Sequence, residues 1–167
     1  MNTKVEVTER GSTIFLRAAV IAMCLGVLAL GIVTVVAVYS NWADEFPSLA
    51  WLRLPVVAGL IVTACTFLTA SYQAFRLLHY IDKHATFSEE SVHAIRMVEY
   101  CGYLIGFIYA AGLPVAYQVA QHTDAPGLMM IGLAFVGVPL SVAVLAGIIR
   151  RLIQSAMVIK SENELTV

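Results

Sequence analysis

Residues 76–99 read RLLHYIDKHATFSEESVHAIRMVE and form the one long polar break in a sequence that is otherwise mostly apolar. Arg76, His79 and Lys83 are predicted to lie in the last turns of a helix, where the helix dipole favours positive charge. Ser88 is a favourable N-cap for a second helix, and two glutamates follow it directly. The stretch therefore predicts a helical hairpin tip between two long helices.

The helix that begins after Ser88 is predicted to have one apolar and one polar face. Val92, Ile95 and Val98 recur at helical spacing, and Phe87 and Val92 occupy the two positions of a hydrophobic staple. A solvated linker with a well-capped helix start is one interpretation of the polar face, and a surface that docks a partner is the other. The candidate docking residues are Ser88, Glu89, His93 and Arg96.

Composition places the chain among membrane proteins. Of its 167 residues 60% are hydrophobic and 13% are charged, and the charged share is about half that of a soluble domain. A helix of about 20 apolar residues crosses the hydrocarbon core of a bilayer. The predicted fold class is all-α: a polytopic membrane protein in which one domain, residues 1–167, forms an antiparallel four-transmembrane-helix bundle within the lipid bilayer. The predicted spans are residues 18–39, 54–76, 100–120 and 127–149.

The distribution of positive charge predicts the orientation of these spans. Nine of the ten Lys and Arg residues lie before the first span, in residues 76–99 or after the fourth span, and Arg53 is the exception. Loops rich in Lys and Arg stay in the cytoplasm. Both termini and the hairpin tip are therefore predicted to be cytoplasmic, in the inner membrane. The net charge of −1 and the lack of a basic cluster give no indication of nucleic-acid binding.

Two features of the third and fourth spans predict how they pack. Gly102, Gly106 and Ala110 form a row of small residues at four-residue spacing, which favours close helix approach within the monomer or in a homo-oligomer. Pro114 and Pro139 are expected to kink their spans. If the two kinks lie at a common depth, the freed carbonyl groups could line a small cavity or be covered by neighbouring helices.

No catalytic or cofactor site is predicted. The histidines and the acidic residue near the hairpin tip lack the usual i, i+3 or i, i+4 spacing of a helical pair of metal ligands, apart from His79 with Asp82. The predicted spans contain no ionisable side chain before Arg76, within 100–120 or within 127–149, which disfavours ion-coupled transport. No cysteine forms a CxxC pair, and the three are expected to be packing residues: Cys24, Cys65 and Cys101.

Two short stretches carry a resemblance to a known family. They are ATFS at residues 85–88, followed by Glu90, Ser91 and Val92, and the closing ENELTV at residues 162–167. In these the chain resembles the YoaS-like small bacterial membrane proteins, a domain of unknown function. The resemblance implies four spans in a bacterial cytoplasmic membrane. Because such proteins often accompany small helix-turn-helix regulators, it also suggests regulation, and it supplies no catalytic residues.

Three functions are compatible with these observations. The favoured hypothesis is a non-enzymatic sensor or interaction protein that signals through the cytoplasmic hairpin tip to a regulator protein. The second is a small-molecule transporter or efflux component that uses a cavity between Pro114 and Pro139. The third is immunity to a membrane-active peptide through the aromatic loop that follows the first span.

Overall fold

A computed structural model of the chain shows four long α-helices joined by short connections. It describes the backbone of residues 3–82 and 88–164, with side chains at 18–42, 44–80 and 88–159. The four helices are long and apolar enough to cross a membrane, and the predicted all-α four-helix membrane bundle is confirmed. The elements are α1 (Thr3–Glu45), a short 3-10 helix (Pro47–Leu52), α2 (Arg53–Asp82), α3 (Glu89–His122) and α4 (Gly127–Glu164).

The helices run well past the predicted spans. α3 has 34 residues and α4 has 38, so their lengths are about 51 and 57 Å at about 1.5 Å per residue. The hydrocarbon core is only about 30 Å thick. A helix needs no apolar side chains to keep its backbone hydrogen bonds, so hydropathy marks where the membrane ends and leaves the end of the helix undetermined. The chain beyond residue 149, where the fourth predicted span ends, is helical as far as residue 164.

The predicted start of the third helix is confirmed. Ser88 has extended backbone angles, and its hydroxyl accepts a hydrogen bond from the backbone N–H of Ser91 at 3.3 Å. Val92 and Ile95 are buried, and the staple residue Phe87 lies outside the described residues. The polar side chains of the first two turns are exposed, as predicted: Glu89, His93 and Arg96.

Each helix packs mainly against the next one along the chain. The α3–α4 interface is the most extensive, followed by α2–α3 and then α1–α2. α3 therefore lies between α2 and α4. Within residues 18–42, the most apolar stretch of α1 has no buried residue, so this helix presents most of its surface to lipid.

The connection between α1 and α2 is a packed cap at the end of the bundle opposite the hairpin tip. Trp42, Leu49 and Leu52 are buried together, and the indole Nε1 of Trp42 donates a hydrogen bond to the carbonyl oxygen of Leu49 at 2.9 Å. Val115 and Val119 of α3 pack against this cluster. The cap therefore joins the α1–α2 turn to the far end of α3.

Candidate functional site

The seam between α3 and α4 is closest at two glycines. A methyl group on Gly102 would lie 2.9 Å from Cβ of Ala143 and 2.9 Å from the carbonyl oxygen of Pro139. A methyl group on Gly106 would lie 2.6 Å from Cδ2 of Leu140. These distances are shorter than ordinary van der Waals contact, so the two backbones approach as only glycine permits. Because both glycines are buried against α4 of the same chain, they offer no free face to a second copy.

Ala110 does not continue this row within the chain, and its role in a homo-oligomer stays a prediction. The residue is exposed. The seam continues through Tyr109, whose ring centroid lies 5.4 Å from that of Phe135, and through Leu113, whose Cδ2 lies 3.2 Å from the Cβ position of Gly132. The contacts therefore advance by four, three and four residues. A strict four-residue row rotates away from its partner because a helix has about 3.6 residues per turn.

An ion pair closes the same seam at the hairpin-tip end. The guanidinium Nε of Arg150 donates to Oε2 of Glu99 at 2.8 Å, and Nη2 lies 3.4 Å from Oε1. The two side chains are 20% and 13% exposed. A methyl group on Gly147 would lie 3.0 Å from the carboxylate oxygen Oε1. The absence of a side chain at Gly147 therefore lets the carboxylate lie directly against α4.

Glu99 directly precedes the third predicted span and Arg150 directly follows the fourth, but no motif in the sequence pairs them. They lie 51 residues apart, but adjacent antiparallel helices bring the start of one span beside the end of the next. The sequence signal for this pair is a carboxylate at the start of one predicted span and a guanidinium at the end of the next. The ion pair fixes the relative height of α3 and α4 where the two helices leave the membrane.

A groove of about 570 Å³ lies over α3, between α2 and α4. Its volume falls within the range of about 300–1,000 Å³ found for small-molecule sites. Its end away from the hairpin tip is closed by Trp42 and Leu52 of the packed cap. The groove lies at membrane depth, so its open side faces lipid. Its lining is nearly all apolar and includes four aromatic rings: Trp42, Phe107, Tyr109 and Phe135.

Thr63 is the polar exception on the wall that α2 contributes. The residue is only 9% exposed, and its Oγ1 has no hydrogen-bond partner among the described residues. Other hydroxyls of the apolar helices donate to the carbonyl oxygen four residues earlier, at 2.8–2.9 Å: Thr34, Ser40, Thr66, Thr69 and Ser141. The groove therefore holds one buried hydroxyl whose hydrogen-bonding capacity is unused.

The two prolines lie at different depths in the bundle, so the condition of a shared depth is not met. Neither lines the groove. Pro139 directly precedes Leu140, which contacts Gly106 of α3, so Pro139 lies near the height of Gly106. Pro114 lies eight residues further along α3, about 12 Å along the helix axis. Pro139 follows the start of α4 by twelve residues, whereas Pro114 precedes the end of α3 by eight. The prolines therefore lie at unequal distances from the α3–α4 turn.

Comparison with known proteins agrees with this architecture. Residues 37–167 match the family described as Protein of unknown function (DUF2975). The chain belongs to this family. The uncharacterized membrane protein YoaS of Bacillus subtilis (strain 168) is 44% identical over 159 residues, which cover 95% of this chain and 99% of YoaS. No solved structure shows a significant match. The resemblance to YoaS-like proteins is therefore confirmed, and this chain is a membrane protein of a family whose function is unknown.

The hairpin tip of this DUF2975 chain brings three of its four candidate docking residues to one exposed side. Glu89, His93 and Arg96 lie exposed over the first two turns of α3. Ser88 instead serves as the N-cap, since its hydroxyl oxygen accepts the backbone N–H of Ser91, and it shapes the helix start. The described residues contain no group of three or more His, Cys, Asp or Glu side chains that could hold a metal ion. His84 lies outside them.

Proposed function

We propose that this DUF2975 protein is a non-enzymatic membrane sensor that signals through its hairpin tip to a cytoplasmic regulator protein. The observation that supports this most directly is the continuity of α3, a single helix over Glu89–His122. Its far half, residues 107–119, forms the floor of the groove. Its first two turns carry the exposed charges of the tip. A molecule in the groove and a partner at the tip would therefore act on one stiff element.

The packing favours a particular movement. The glycine seam and the Glu99–Arg150 ion pair hold α3 and α4 together. The α2–α3 interface is less extensive than the α3–α4 interface. A ligand between α2 and α4 would therefore displace α2 relative to the α3–α4 pair. Because α2 ends and α3 begins at the tip, this displacement would change the tip surface that a regulator contacts.

The proposed orientation places the tip in the cytoplasm, since Lys and Arg are concentrated on that side of the membrane. Reporter fusions after Ser88 and after Ala125 test it. We expect a green fluorescent protein fused after Ser88 to fluoresce and an alkaline phosphatase fused at the same point to be inactive. The two reporters should behave in the opposite way after Ala125. An active phosphatase after Ser88 would contradict the orientation.

The sensor proposal is tested by charge reversal at the tip. We expect native protein in mild detergent to retain a cytoplasmic regulator that is lost with Glu89→Lys/Arg96→Glu, because both side chains are exposed at the tip. Thermal unfolding should stay close to that of the native protein. Asp44→Lys, at the opposite end of the bundle, is the control and should retain the partner. Partner retention unaffected by tip reversal would contradict the proposal, as would substrate flux in proteoliposomes with no cytoplasmic partner recovered.

A further inference from the structure

We infer that the groove binds a bilayer-borne molecule with a flat ring, an apolar tail and a carbonyl oxygen that accepts a hydrogen bond from Thr63. This inference rests on the proposed sensor function and deepens it by naming the class of ligand that the groove binds. The molecule enters sideways from lipid, since the end away from the hairpin tip is closed by Trp42 and Leu52. Its ring lies among the aromatic side chains, and its tail points out into the bilayer.

The aromatic lining of the groove favours a ligand that contains a small ring over one that is an acyl chain alone. Aromatic side chains come from three elements: Trp42 from α1, Phe107 and Tyr109 from α3, and Phe135 from α4. Aromatic rings gain from offset stacking and edge-to-face contact with another ring. Flexible acyl chains gain no such directional contact. The aromatic lining therefore indicates a ligand with a planar ring.

Thr63 defines where the polar atom of that ligand lies. It is ten residues into α2, which begins at Arg53, so it lies about 15 Å along the helix and near the middle of a hydrocarbon core about 30 Å thick. A hydroxyl at that depth has no water to bond, and an unsatisfied polar group is costly there. A carbonyl oxygen satisfies its O–H donor without bringing a second donor into hydrocarbon. The headgroup of an ordinary phospholipid does not reach this depth.

The volume of the groove fits a small molecule dissolved in the bilayer. The groove holds about 570 Å³, and small-molecule sites have volumes of about 300–1,000 Å³.

Fluorescence of Trp42 provides a direct test with 2-decyl-1,4-benzoquinone as the probe. The chain has two tryptophans, and Trp51→Phe leaves Trp42, which lines the groove. We expect saturable quenching by the probe with protein in lipid nanodiscs. Thr63→Val keeps the shape and removes the hydroxyl, so it should weaken binding on the order of tenfold. Thr66→Val is the matched control, because that hydroxyl already bonds the carbonyl oxygen of Val62, and it should leave the affinity unchanged.

A second pair of variants tests the place of binding. A Cβ added to Gly112 would have no atom within 4 Å, and Gly112 lines the groove, so the ring of Gly112→Phe has room to occupy it and should abolish saturable quenching. Gly137→Phe has equal room but does not line the groove, and it should bind the probe as before. Equal affinity in Thr63→Val, or saturable quenching that survives Gly112→Phe, would overturn the inference.

The same experiment separates the ligand from the sensor proposal. Decylbenzene has the ring and tail but no carbonyl, so it should displace the quinone from native protein with a dissociation constant at least tenfold higher than that of the quinone. In Thr63→Val the two dissociation constants should be equal. If decylbenzene competes as well as the quinone against native protein, the assignment of a carbonyl ligand is wrong. The tip-reversal result would be unaffected by that outcome, because it depends on Glu89 and Arg96 alone.

Discussion

Replacing Gly102 with leucine is expected to lower the free energy of unfolding by about 3 kcal/mol, at the upper end of overpacking costs. The first added carbon alone would lie 2.9 Å from the carbonyl oxygen of Pro139 and 3.2 Å from the backbone N of Ala143. Backbone atoms cannot rotate aside as a side chain can, so α3 and α4 must separate. The expected fall in the thermal unfolding midpoint in detergent is about 10 °C.

Gly106→Leu should cost less than Gly102→Leu, because the atoms nearest to it belong to the flexible side chain of Leu140. Gly112→Leu is the control on the same helix, since a side chain there meets no atom within 4 Å. It should keep the native midpoint or raise it slightly, because leucine favours helix more than glycine does. Equal midpoints for Gly102→Leu and Gly112→Leu would refute the close contact at Gly102.

Neutralising either side chain of the Glu99–Arg150 ion pair is expected to cost about 2–3 kcal/mol. Removing one partner from a buried pair leaves the other charge uncompensated, which costs about 3–5 kcal/mol when burial is complete. The exposure of 20% and 13% reduces that value, because water reaches part of each group. Glu99→Gln and Arg150→Gln are the single variants, and thermal and denaturant unfolding in detergent are the measurements.

A double-mutant cycle isolates the pair from other effects of the same substitutions. Glu99→Gln/Arg150→Gln should cost at least about 1 kcal/mol less than the two single variants added together. Arg151→Gln is the matched control, because Arg151 is the exposed neighbour of Arg150, and it should change stability by no more than about 0.5 kcal/mol. Strict additivity of the two single variants would mean that the ion pair contributes nothing to the seam.

Features that depend on neighbours in sequence were predictable. The N-cap at Ser88 needs only a hydroxyl three residues before the N–H of Ser91. The four spans follow from local hydropathy, and the exposed face of the hairpin tip follows from helical spacing. Each involves residues within a few turns of one helix, so no knowledge of packing between helices is required.

Features that depend on the register between helices were not predictable in the same way. Ala110 has the correct spacing for the glycine row, but a four-residue row rotates away from α4 by that position, and Ala110 is exposed. Thr63 and Thr66 look alike in sequence, and only the structure shows that the hydroxyl of Thr66 bonds the carbonyl oxygen of Val62 while that of Thr63 lacks a partner. The ion pair and the groove likewise join residues from separate helices, so the pattern of residues within one helix does not predict them.

The packing of each helix on its predecessor has a consequence for biosynthesis. As the chain is inserted, α2 can dock on α1, α3 on α2 and α4 on α3, so each of the three main interfaces forms between consecutive helices. Folds dominated by such local contacts have low contact order and assemble quickly. The most extensive interface forms last, when α4 arrives. A nascent chain that stops before Gly127 would therefore expose the glycine face of α3 to lipid, a surface that cellular quality control can recognise.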